Sequence, residues 1–427
     1  GTNNTALGSE ALEVNTTGTK NVAIGALALD ANTTASNNSA VGYGSLTSNT
    51  TGADNTAVGK DALDANTTAS QNTAVGKSSL TSNTTGDNVT GIGYNALATN
   101  STGTNNTSLG SKALQNNTTA SNNTAVGYLA LGENTTGTDN VAVGREALDA
   151  NTTASNNVAV GSVALGANTT GASNTALGDG ALAVNTTASN NTAVGASALI
   201  ANTTGTRNTA MGAFSLDTTT TGVDNTSIGY AAMDGNTTGD NNVAVGKSAL
   251  TANTTADNNT AVGYNALTAN TTGASNTAVG QSALGACTTG SSAVAIGKGA
   301  LSTSTTQGTN VAVGFQAAQD ITTTGVVAIG YQALMNSSSG YDTVAVGTNA
   351  LYSNSSGNEN TAIGYQAMYS NTTGNDNVAI GNGALDANTT ASNNTAVGRS
   401  ALGVNTTASN NTALGYLALS ANTTCTR

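Results

Sequence analysis

Apolar, small and polar residues keep a fixed phase along this chain. Asn21-Val22-Ala23-Ile24-Gly25-Ala26-Leu27-Ala28-Leu29-Asp30-Ala31-Asn32-Thr33-Thr34-Ala35-Ser36-Asn37 is one full period, numbered here as positions 1 to 17, and the pattern returns 25 times. Position 4 is Val, Ile, Leu or Met in every coil, and position 9 is Leu in 22 of 25, with Met233, Met368 and Ala318 as the exceptions. Side chains alternate with period 2 along a strand. Positions 1 to 5 therefore predict a five-residue strand whose Thr or Val at position 2 and Val or Ile at position 4 face a core shared with the leucine of position 9. Ala at 3 and Gly at 5 are then expected on the opposite, small face, built for close approach of another backbone. Ala or Ser at position 8, beside that leucine, predicts a second short strand through 8 to 10. The fold class this implies is all-β, a parallel β-solenoid or β-roll of about 25 coils of 17 residues.

The glycines at position 5 run from Gly8, Gly25 and Gly42 to Gly398 and Gly415, and only the step from Gly314 to Gly330 is one residue short. Residues 1–427 read as a single continuous array. An irregular coil with a local bulge or bend is expected around 307–340. At about 4.8 Å per coil the array should reach on the order of 120 Å. It starts with Gly1-Thr2-Asn3 and stops at Thr424-Cys425-Thr426-Arg427 inside a repeat, so it is expected to continue beyond both ends.

Composition narrows the class. Charged residues are 7% and aromatics 3% of the 427 residues, and Pro, Trp and His are absent. Disorder does not explain apolar residues held in register with glycines. The net charge of −12, thinly spread, argues against nucleic acid or anionic membranes as partners. No apolar run is long enough to span a bilayer. Cys287 and Cys425 lie eight coils apart, about 38 Å along the array, too far to bridge within one straight solenoid.

Catalytic chemistry has little to work with: there is no His, and the acids are scattered singly. The expectation is a non-enzyme without cofactor or metal. Asn at position 1, as in Asn4, Asn21 and Asn38, predicts an inter-coil amide ladder at the start of the strand. Asn at position 12 followed by Thr-Thr gives a phased N-glycosylation sequon on a turn expected to be exposed. The candidate sites are Asn15, Asn32, Asn49, Asn66, Asn83, Asn117, Asn134, Asn151, Asn168, Asn185, Asn202, Asn236, Asn253, Asn270, Asn371, Asn388, Asn405 and Asn422. A bare structural turn is the alternative, favoured by the close spacing of successive sites. Position 6 varies most, and eight Tyr fall there: Tyr43, Tyr94, Tyr128, Tyr230, Tyr264, Tyr331, Tyr365 and Tyr416. They form a candidate contact stripe for carbohydrate or protein ligands. The adjacent threonines of positions 13 and 14 diverge and do not offer the flat hydroxyl face that ice binding requires.

The run Asn-Thr-Ala-Val-Gly or Asn-Val-Ala-Ile-Gly, as at Asn55 to Gly59, Asn140 to Gly144 and Asn377 to Gly381, resembles the repeat of YadA-like trimeric autotransporter head domains. It is also similar to phage tail-fibre repeats. The resemblance covers the whole chain, although the family's coil is usually shorter than 17 residues. It implies a left-handed roll, three chains about one axis and attachment to host or surface ligands. The small face at 3, 5 and 8 would suit such packing, as a trimer or another filament. The functional expectation is an extended extracellular or cell-surface structural fibre, self-associating and adhesive along its sides. A trimeric adhesin head and an ice-binding solenoid are the alternatives.

Overall fold

The computed structural model describes residues 1–423. Each phased run forms a strand at positions 2 to 4, numbered in chain order from β1 (Thr5–Leu7) and β2 (Val22–Ile24) to β25 (Thr412–Leu414). The chain is an all-β parallel β-solenoid with about 17 residues per turn, and no helix occurs among the described residues. It divides into two compact units, Gly1–Phe214 and Ser215–Arg427, built from the same coil. The first carries β1 to β13 (Thr209–Met211), the second β14 (Thr226–Ile228) to β25. Within each unit, neighbouring strands are parallel and in register, as in Val22↔Ser39, Ala23↔Ala40 and Ile24↔Val41, so equivalent side chains stack coil on coil.

Two details of the expected coil are corrected. The strand has three residues rather than five. The second strand at 8 to 10 does not form, because the chain turns there through left-handed residues at 7 and 9, such as Leu27 (φ 61) and Leu29 (φ 53). An L-residue in this region costs about 1 kcal/mol or more. The turn is held because Leu29 is fully buried, its N–H donates to Ser45 O (3.0 Å), and its carbonyl accepts from Asn32 N (3.2 Å).

The faces of the strand are also the reverse of those expected. Ala23, Ala40 and Ala57 at position 3 are fully buried, whereas Ile24, Val41 and Val58 at position 4 are 36%, 36% and 37% exposed. Residues at position 2 are half-buried. The core consists of Ala at 3, Ala or Ser at 8, Leu at 9 and two rows of Asn at 1 and 12. One narrow coil has room for a Leu opposite an alanine, and two Asn amides occupy the remaining interior. Gly25 (φ 130) shows what the phased glycine is for: a Cβ there would meet the Gly42 carbonyl oxygen well inside van der Waals contact. The backbone that approaches so closely is the next coil of the same chain.

The asparagines close the interior. Asn21 Nδ2 and Asn32 Nδ2 both donate to the Ala35 carbonyl, at 2.9 and 3.2 Å. Asn21 Oδ1 accepts from the backbone N–H of Asn38 (2.9 Å), so the position 1 ladder runs mainly from amide oxygen to backbone. The amide-to-amide ladder belongs to position 12, as in Asn49 Nδ2 to Asn32 Oδ1 (3.0 Å) and Asn66 Nδ2 to Asn49 Oδ1 (2.8 Å).

The missing residue before Gly330 falls between β19 (Val311–Val313) and β20 (Val327–Ile329), which still pair in register. The turn absorbs it, with Gly325 at φ 78, and the strands carry no bulge. Interior ladders lapse around it. Position 12 holds Cys287, Ser304, Ile321 and Ser337 in successive coils, and position 1 holds Ala293, Val326 and Thr343. Cys287 is buried with its thiol 3.6 Å from the Gly290 carbonyl, and burial pushes its pKa up. Cys425 lies outside the described residues.

Candidate interaction surfaces

The sequon asparagines are interior residues. Of the candidates, all but Asn15 and Asn422 are fully buried, and those two are partly buried. Asn151 is typical: Nδ2 donates to Asn134 Oδ1 (2.8 Å) and Ala154 O (3.0 Å), and Oδ1 accepts from Asn168 Nδ2 (3.2 Å). A glycan on such an amide would displace three hydrogen bonds and open the coil, so the folded solenoid closes these sites. The signal was in the sequence, because the Asn-Thr-Thr that reads as a sequon also reads as a stacked turn. Of the two threonines, the first is tied down, as in Thr33 Oγ1 donating to Thr50 O (3.2 Å), and the second, as in Thr34, is exposed.

The outer face of the sheet is a surface that sequence reasoning missed. Every Lys, Arg, Asp and Glu of the chain stands at position 6, 7, 10, 11, 16 or 17. Positions 2 and 4 carry only Thr, Val, Ser, Ile, Leu and Met, and they point outward in register. The absence of charge at these positions suits either a core or a covered face, and burial alone distinguishes the two.

Positions 6, 7 and 10 form a second, chemically varied side. The eight stripe tyrosines are all exposed there. Lysines one coil away lie over three of their rings, Lys60 at 5.7 Å from the Tyr43 centroid, Lys77 at 5.9 Å from Tyr94 and Lys247 at 5.9 Å from Tyr230. Phe315 and Tyr331 stack at 5.3 Å, and Tyr352 and Tyr369, at position 10, at 5.2 Å. Ring faces are thus turned along the stacking direction.

Five acids at position 10 are partly desolvated. Burial raises the pKa of Asp64, Asp149, Asp217, Asp234 and Asp386 above the usual carboxylate range. Nearby acids add to this at three of them: Asp61 at Asp64, Glu133 and Glu146 at Asp149, and Asp234 at Asp217. Among the described residues no group of three His, Cys, Asp or Glu is placed to hold a metal ion, and no helix is long and apolar enough to cross a membrane. Comparison with protein-family models gives no match, and no curated protein is similar to the chain.

Proposed function

We propose that the chain is a structural fibre of an extracellular surface appendage, in which copies associate through the sheet face at positions 2 and 4 and the sides bind surface ligands. The observation that carries this reading is the charge-free, partly exposed row of Val, Ile, Leu and Met at position 4 of every coil. Burying the exposed part of one such side chain is worth about 0.5–1 kcal/mol. A dozen coils therefore offer on the order of 10 kcal/mol against the cost of association. The likeness of the strand motif to trimeric autotransporter heads supports the same reading, with the packing face moved from the small residues to the branched ones. Sedimentation at micromolar concentration tests it: a stable oligomer is expected, and a monomer overturns it.

The same face also favours a second reading, as an ice-binding surface. Thr at position 2 stands beside Val or Ile at position 4 in 10 of the 25 coils, such as Thr56 and Val58, and where such coils are neighbours the in-register strands repeat this pair every ~4.8 Å. This flat row is distinct from the diverging threonines of positions 13 and 14. A monomer that produces thermal hysteresis would favour this second reading; an oligomer without hysteresis removes it.

A further inference from the structure

We infer that the second unit carries a hinge between the coils of β18 (Val294–Ile296) and β19 (Val311–Val313), open along the turn at positions 12 to 17 and closed along the sheet. A regular junction shows what this one lacks. Between the coils of β22 (Thr361–Ile363) and β23 (Val378–Ile380), Asn388 Nδ2 donates to Asn371 Oδ1 (2.8 Å), and the N–H and Oγ1 of Thr372 both donate to Thr389 O (2.8 and 2.9 Å). Asn375 N donates to Ser392 Oγ (3.0 Å), and Asn393 N to Asn375 O (3.1 Å). At the junction of β18 and β19 the equivalent turns are 304–309 and 321–325, and among the described residues no hydrogen bond joins them. The junctions on either side are bridged, by Thr288 N donating to Thr305 O (2.7 Å) and Thr322 N donating to Ser338 O (3.2 Å).

The first turn satisfies its own polar groups. Gln307 stands at position 15, which is Gly or Ala in every coil from Gly18 to Gly290. Its Oε1 accepts from Ser304 Oγ (3.3 Å), Thr305 N (3.1 Å) and Thr306 N (3.1 Å). In the regular coil the last two groups, Thr372 N and Thr373 N, reach across to Thr389 O. On the facing turn, position 12 is Ile321, which is fully buried and needs no hydrogen bond, and the shortened chain passes through Gly325 at φ 78. Parting these two turns therefore breaks no hydrogen bond. Parting Asn371 from Asn388 would leave buried amide groups unpaired.

The rest of the joint holds. β18 and β19 pair in register, Gln316 N donates to Lys298 O (2.9 Å), Leu301 N to Ala317 O (3.1 Å) and Thr303 N to Gln319 O (3.2 Å). Each coil of a solenoid is held by its neighbours alone, so opening concentrates at the junction with the fewest bonds. A joint bonded along the sheet and free along the turn bends about its bonded side. The second unit thus yields at one place while the row of positions 2 and 4 stays continuous there.

Hydrogen exchange of the full chain, read by mass spectrometry, tests the hinge. Amides in 304–309 and 321–325 should exchange at least about tenfold faster than those in 371–376 and 388–393, while β18 and β19 exchange as slowly as β22 and β23. Thr305→Cys with Thr322→Cys, in a chain whose own cysteines are replaced by Ser, puts two thiols one coil spacing of about 4.8 Å apart, within disulfide reach. Oxidation should slow both turns to the rate of a regular coil, and reduction should restore the fast exchange. Ser304→Asn with Ile321→Asn supplies the missing amides and should slow the turns as well, which serves if the disulfide does not form. The hinge is overturned if the two turns exchange like regular ones, if β18 and β19 open together with them, or if neither repair slows them. Sedimentation keeps the two ideas apart: a monomer with fast turns overturns the assembly proposed above and leaves the hinge standing.

Discussion

At position 5, a single methyl group decides whether two coils can stack. Gly127 has φ 137, and a Cβ on it would meet the Gly144 carbonyl. Gly127→Ala should destabilise the chain by about 3 kcal/mol or more, through strain and steric overlap together; urea unfolding measures it, and a loss under about 1 kcal/mol would contradict the stacking described. The Asn ladders give the opposite kind of test. Asn270 Oδ1 is buried without a partner because the next coil has Cys287 where the ladder needs an amide. Cys287→Asn supplies a donor to Asn270 Oδ1 and the Gly290 carbonyl, and should stabilise by about 1 kcal/mol. Slower hydrogen exchange of the amides in these two coils would register the gain. Faster exchange would contradict it.

At the scale of the element, the three-residue strand shows what was legible and what was not. The period, the parallel strands and the in-register stacking follow from the phase of the glycine at position 5 and the leucine at position 9. Which way the strand faces does not, because alternation fixes only that 2 and 4 lie opposite 3. Assigning the larger residues inward is the usual inference, and a narrow coil with Leu29 and two asparagines already inside reverses it. The buried role of Asn32 was hidden by the chemistry of its motif, since a polar residue before two threonines suggests a surface turn. The aromatic stripe was readable, because nothing in the coil can bury a Tyr at position 6.

The row at position 10 carries a pH dependence. The folded pKa of Asp64, Asp149, Asp217, Asp234 and Asp386 lies above the ordinary value, chiefly through burial. For carboxyls raised in this way, the stabilising contribution is full below the unfolded pKa, about 3.9, and is lost as pH rises through the folded pKa. Melting temperature should therefore fall as pH rises above about 4. Asp217→Asn combined with Asp234→Asn should flatten that slope, and a rise instead would contradict the assignment.

Across the molecule, each unit repeats one division of labour. Small residues and amides hold coil to coil, charged residues are confined to positions 6, 7, 10, 11, 16 and 17, and the sheet face is kept free of charge throughout. A lone surface with no selection for contact has no reason to exclude charge from 50 successive outward positions, two per strand in 25 strands. The central claim is that this face is where copies meet. Sedimentation of the chain carrying Val75→Lys, Val126→Lys and Val194→Lys, beside one carrying Tyr43→Lys, Tyr94→Lys and Tyr128→Lys, tests it most directly. The account predicts that the unsubstituted chain and the tyrosine variant sediment as oligomers and the valine variant as a folded monomer. An unsubstituted chain that is monomeric, or a valine variant that still assembles, would contradict it.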